Sequence, residues 1–198
     1  MATNPYKKVT ADAFEQMQLD AGVLLTEFDF AAPYTEPADA KIIATTTGGI
    51  NVKCEPQYED LGEDVDNVPN NMLDFLKLTG WNCEMSFTSI KFNADNTKWA
   101  LSAADEGTTP TGAPTGTKRI VPRADVEMSD AQDIYAAFPM ADGGIFVVLL
   151  KNAVSTGGLN IQSTKNGKGT NEITLTGYVT ADHQEDMPME FYHIPKAA

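Results

Sequence analysis

A mostly β fold, an antiparallel β-barrel or sandwich of about seven to nine strands with one main flanking α-helix and a short N-terminal helix, is what this sequence predicts. Period-two apolar alternation recurs in segment after segment, and Gly-, Pro- and Thr-rich stretches separate the segments. Only one longer run of good helix formers is present, and no repeat of about 20 to 50 residues marks a solenoid or propeller. The length of 198 residues suits one domain spanning 1–198, and an apolar fraction of 42% is enough for a packed core.

The N-terminal arm, 1–22, contains DAFEQMQLDAG, with Asp12 as N-cap, Glu15 as capping partner, Phe14 and Met17 on one face, and Gly22 as the stop. A strand follows in LLTEFDF, where Leu24, Phe28 and Phe30 oppose Glu27 and Asp29. In INVKCEP, Ile50, Val52 and Cys54 share a face, and Pro56 is expected to end the strand. CEMSFTSIKF alternates through Cys83, Met85 and Phe87, then changes phase at Ile90 and Phe92, which predicts a bulge near Ser89.

Between those strands, 57–80 reads as a long acidic loop, well beyond ordinary hairpin length and therefore a candidate functional segment. DNTKWALSAAD predicts the main helix, capped by Asn93 or Asp95, with Trp99 packing it onto the sheet. The Gly/Pro/Thr-rich 105–117 reads as a mobile loop. Strands are expected again in RIVPRADVEM, DIYAAF, GIFVVLL, LNIQS, EITLTGYVT and PMEFYHI.

The net charge of −14, from 28 acidic and 14 basic residues, opposes tight binding to phosphate backbones. No run approaches the roughly 18 apolar residues that span a bilayer, so no membrane is expected as a partner. The N-terminus lacks the apolar core of a secretory signal, and synthesis without export is expected. Cys54 and Cys83 fall in the apolar phase of separate strands and read as core thiols; a bridge requires those strands to bring them to bonding distance.

No phosphate-cradling loop or nucleophile elbow is present, and STKNGKGTN reads as a hairpin loop. With only His183 and His193 available, a hydrolytic triad is poorly supported. Asp182, His183 and Asp186, with Glu185 beside them, are weak metal candidates whose plainer reading is an acidic turn. EDLGEDVDN gathers carboxylates but lacks the in-register glycine of a calcium loop, and a carboxylate pair for glycoside hydrolysis would need two of the 28 acids to converge across a cleft, which no motif indicates. No catalytic residue and no cofactor is expected.

The order of segments is more specific than any motif. LDAGVLLTEFDF, TTTGGINV, YEDLGEDVDNVPNN, LTGWNCEMSFTSI, WALSAAD and PMEFYHIP follow one another over nearly the whole chain. The best matches are Gly48-Gly49-Ile50, Gly62 through Pro69, and Ala103-Ala104-Asp105. In this order the chain resembles the major tail tube proteins of long-tailed bacteriophages of Gram-positive hosts. The resemblance implies a non-enzymatic virion protein, assembled in the bacterial cytoplasm into hexameric rings. Those rings stack into a tube around the tape measure protein, cooperate with terminator and distal tail proteins, and conduct DNA without gripping it.

It further implies that the long loop contacts the next ring, which places the axial interface on Glu59, Asp60, Gly62, Glu63, Asp64, Asp66, Asn67, Val68 and Pro69 and extends it to Asn71. An alternative within the same fold class is a β-sandwich recognition module, either carbohydrate-binding or adhesive. Such a module would show an aromatic platform, whereas Phe28, Phe87, Phe146 and Phe191 fall in phases that suit a core.

Overall fold

A computed structural model describes residues 13–31, 34–69 and 72–196. Its strands are β1 (Val23–Leu25), β2 (Thr46–Asp60), β3 (Leu76–Ser89), β4 (Ala104–Gly107), β5 (Arg119–Pro122), β6 (Gln132–Pro139), β7 (Ile145–Ser155), β8 (Asn160–Gln162), β9 (Thr170–Thr176) and β10 (Met189–Ile194), with one α-helix, α1 (Ala94–Leu101). All named pairings are antiparallel, and the architecture is the expected sandwich.

One layer runs β1-β6-β7-β10; the other runs β2-β3-β9, with β8 beyond β9. β7 joins the layers, because its end crosses to pair Val154 and Ser155 with Thr176 and Leu175 of β9. Asn152 allows that switch. It takes φ 44 where the β6–β7 register slips, and Asp133 Oδ1 accepts its backbone N–H at 2.9 Å.

Alternation explains which side chains meet. Ile134, Ala136 and Phe138 of β6, Val148 and Leu150 of β7 and Leu24 of β1 face Cys83, Met85 and Phe87 of β3 and Ile173 and Leu175 of β9. β7 is buried on both faces: Val147 and Leu149 point outward, and the residues that follow Leu25 lay Phe28 and Phe30 near Tyr135 and Tyr192 over that side. Phe28 therefore belongs to an outer aromatic cluster instead of the strand face expected for it, because the chain leaves the sheet after Leu25. Phe87 and Phe146 do join or pack against the core, but Phe191 is 52% exposed.

The N-terminal helix does not form over 13–22, and its Asp12 cap lies outside the described residues. Backbone groups there pair with the β6–β7 turn instead of along a helix: Asp142 N donates to Glu15 O, Ala141 N to Met17 O, and Leu19 N to Pro139 O, at 2.8 to 3.0 Å. Gly22 ends this arm with φ 73 against the Phe138 ring, where an added Cβ would sit 2.5 Å from a ring carbon.

Helix α1 is capped by Asn93, whose Oδ1 accepts Asn96 N at 2.8 Å. It ends sooner than expected. Ser102 takes φ 53, its Oγ accepts Ser155 N at 2.7 Å, and Ala104 already belongs to β4. The Ala103-Ala104-Asp105 segment thus leaves the helix instead of closing it. Trp99 is partly buried against the core, and Asn96, buried, donates to Ser89 Oγ at 2.9 Å and Lys91 O at 3.0 Å.

The 105–117 loop is shorter at its start, since Asp105 to Gly107 pair with Val121 to Arg119. The rest of RIVPRADVEM is not strand: Arg123 bonds Asp105, Glu127 and Asp130 and folds the chain into the turn at Met128–Asp130. The bend predicted near Ser89 lies in the partner strand. Gly48 and Gly49, at φ 81 and 85, form a bulge in β2 between the pairs Thr47↔Thr88 and Ile50↔Phe87, while β3 simply ends at Ser89.

Candidate functional site

The largest departure from the sequence reading is at 57–80. β2 continues to Asp60 and β3 begins at Leu76, so both ends of the expected loop, 57–60 and 76–80, are paired strand of one long hairpin, and the connection is confined to 61–75. Pro56 does not end the strand, for a geometric reason. Cys83 O accepts Gly177 N at 3.0 Å, so the backbone groups of Cys83 point toward β9, and those of Trp81, two residues away, point the same way. Pro56 faces Trp81 at a position where no N–H to β3 is needed, on a strand at the end of the sheet order.

Past the Cys54↔Cys83 pair the hairpin leaves the body. Residues 55–59 and 76–79 are all exposed, and at roughly 3.3 Å per residue this arm reaches about 20 Å beyond Cys54. Its tip holds itself together by local bonds: Leu61 N to Phe75 O at 3.0 Å, Gly62 N to Asp60 Oδ1 at 2.9 Å, and Val68 N to Val65 O at 3.2 Å. Gly62 is buried against Val68 and Asp60, so the first part of the turn packs on itself.

The residues singled out from sequence divide accordingly. Glu59 and Asp60 end β2; Glu63, Asp64, Asp66, Asn67 and Pro69 are exposed on the turn; Gly62 and Val68 face inward. Asn71 lies outside the described residues. The apolar half of the tip was missed: Tyr58, Leu61, Val65, Leu73, Phe75, Leu76, Leu78 and Trp81 are exposed, Leu73 at 82%. The alternation of Leu76 and Leu78 with Lys77 and Thr79 was the available signal.

The outward face of β2-β3-β9 has a different chemistry. Asn51, Lys53, Glu55, Asn82, Glu84, Ser86, Glu172 and Thr174 occupy it, with three carboxylates against one ammonium. Glu55 bonds Lys53 at 2.8 Å and holds its ammonium pKa above the ordinary value. The face is polar, net acidic and free of aromatic rings.

Other candidate features do not converge on chemistry. A polar cleft of about 530 Å³ lies between α1 and the turns at Asp39–Lys41 and Met128–Asp130, where Lys91 and Lys98 mix with Asp39, Asp95 and Asp130. Asp182 and His183 sit in the turn Ala181–His183, and His183 Nδ1 lies 3.5 Å from Asp186 Oδ2 with both side chains exposed. Among the described residues no three His, Cys, Asp or Glu side chains come together as metal ligands, and no helix is long and apolar enough to cross a membrane.

No family model matches the chain, and no curated protein matches it. Among solved structures, a chain in the virion of a native gene transfer agent (GTA) particle is similar to this one. It is 10% identical, covers 87% of this chain and 95% of that chain, and has a TM-score of 0.41.

Proposed function

We propose that this chain is a structural, non-enzymatic subunit of the tail tube of a long-tailed bacteriophage, which assembles in the host cytoplasm and ends in the virion tail. The observation that carries the reading is the β2–β3 arm. A hairpin that leaves the core with apolar side chains around its tip has a cost in water that a neighbouring subunit removes. β2 also lies at the end of the sheet order, and ring closure pairs or covers such an edge. The tail tube resemblance of the ordered segments supports the same assignment.

In this reading six subunits close a ring, and the tip of each arm packs on the next ring. The polar, net acidic face of β2-β3-β9 lines the lumen, where carboxylates repel phosphates and let a duplex slide. The tape measure protein occupies that lumen before DNA does, and terminator and distal tail proteins meet the two ends.

The deciding experiment is electron microscopy of the purified chain across concentration and salt. Rings or tubes with a central hole are expected, more abundant at higher salt because a chain of net charge −14 must meet its own copies. A monomer under every condition, including with tail partners present, overturns the reading. A recognition module has one observation in its favour, the outer cluster of Phe28, Phe30, Tyr34, Tyr135 and Tyr192, in which Phe30 is 44% exposed. Glycan-array binding without ring formation would select it.

A further inference from the structure

Cys54 and Cys83 face each other across β2 and β3, and both thiols are free. Because the backbone groups of Cys83 point to β9, theirs is a non-hydrogen-bonded pair. In such a pair the Cα atoms lie about 4.5 Å apart and the side chains approach closely, which falls inside the window of roughly 4.4–6.8 Å that a disulfide requires. Burial, and to a smaller extent a hydrogen bond that the Cys83 S–H donates to the Cys54 sulfur, pushes the Cys83 thiol up to about 12. Cys83 is sealed in the core, whereas Cys54 is half-buried at its margin, so a reagent meets Cys54 first.

We propose that Cys54 and Cys83 form a built-in cross-strand thiol pair that closes to a disulfide by exchange with a small-molecule disulfide, stapling the hairpin where its buried half becomes the exposed arm. The Cys54 thiolate attacks one sulfur of the small disulfide, forming a mixed disulfide and expelling one thiolate. Cys83 loses its proton, attacks the Cys54 sulfur and expels the second. The chain loses two hydrogens and is oxidised, while the small disulfide is reduced to two thiols. The staple pins the Cys54↔Cys83 register just before the irregularity between Gln57 and Tyr58, so that motion of the arm is not passed into the core.

The test incubates the full chain with oxidised glutathione and follows free thiols, intact mass and a non-reducing peptide map. Loss of both thiols, an intact mass lower by two hydrogens and a linked peptide pair containing Cys54 and Cys83 are expected, together with slower amide exchange at residues 55–60 and 76–82. In Cys54→Ser the Cys83 thiol should persist over the same time, because its route to solvent is closed; Cys83→Ala should stop at the mixed disulfide on Cys54. A wild-type chain that keeps glutathione on Cys54 without release, or that links only to another chain, overturns the proposal. So does Cys54→Ser losing its remaining thiol as fast as wild type, or an internal link that leaves arm exchange unchanged. None of these outcomes depends on whether the chain forms tubes.

Discussion

The two halves of the β2–β3 hairpin share one pair of strands yet live in different solvents. From Thr46 to Cys54 and from Cys83 to Ser89, inward side chains such as Met85 and Phe87 are sealed against β6, β7 and β9. From Glu55 to Asp60 and from Leu76 to Asn82 the same pairing continues mostly in solvent, although Leu76, Leu78 and Trp81 are as apolar as the residues inside. Hydrogen bonding along the strands therefore does not distinguish the halves. Apolar burial does, and one hairpin supplies both the stability of the subunit and the surface it offers to others.

Exchanging a truncation between the halves gives the largest contrast. Phe87, 3% exposed, should cost about 3–5 kcal/mol on Phe87→Ala, read from denaturant midpoints, because a cavity opens between the layers. Leu73→Ser with Phe75→Ser at the tip should change that midpoint by no more than about 0.5 kcal/mol while removing rings and tubes from electron micrographs. If the tip variant unfolds as easily as Phe87→Ala, the arm is part of the folding core. If it still forms long tubes, the axial contact lies elsewhere.

The buried half was legible in the sequence and the exposed half was not, for a physical reason. Alternation of Cys83, Met85 and Phe87, and of Ile134, Ala136 and Phe138, registers a one-sided environment, and those strands lie where the pattern puts them. In the arm, Pro56, Glu59, Asp60 and Gly80 carry the composition of a loop, although the strands continue through them. A proline ends a strand only where its missing N–H was needed, and that depends on the phase of the hydrogen bonds, which composition does not encode. The apolar tip is hidden in another way: the resemblance places the interface on the loop from Glu59 to Asn71, and Leu73 and Phe75 lie just beyond that stretch, without a run long enough to show a period. The N-terminal helix failed differently, because its backbone found partners in the β6–β7 turn that local sequence does not display.

A smaller effect sharpens the account of the buried half. Asn93 Oδ1 caps α1, and the second turn of that helix places buried Ala100 against the sheets. Asn93→Ala should cost about 1 kcal/mol and lower the melting midpoint by a few degrees. Tube formation at a temperature well below the melt should be unaffected, since α1 belongs to the body. If assembly is lost before stability, α1 lies on an interface.

The smallest effect concerns pH and lies on the outer face of the body, away from the arm. Glu190 accepts bonds from Lys151 and Tyr192, with Lys151 the larger cause, and its carboxyl is held below the ordinary value of 4.5. A depressed folded-state value means that this stabilisation is present above about 4.5 and is lost as pH falls through the folded value. The hydrogen bond to Glu190 pushes the Tyr192 phenol up to about 12 and raises Lys151, so their contribution is present below about 10 and fades as pH rises through the folded values. Glu190→Gln should therefore flatten both the acid and the alkaline limbs of a stability-pH curve and leave the neutral plateau only slightly lower, because these side chains remain partly in water. Limbs that superimpose on those of the wild type would show that the network contributes nothing. Flattened limbs with unchanged tube yield would place this part of the pH response in the body of the subunit and leave the arm to the contacts between subunits.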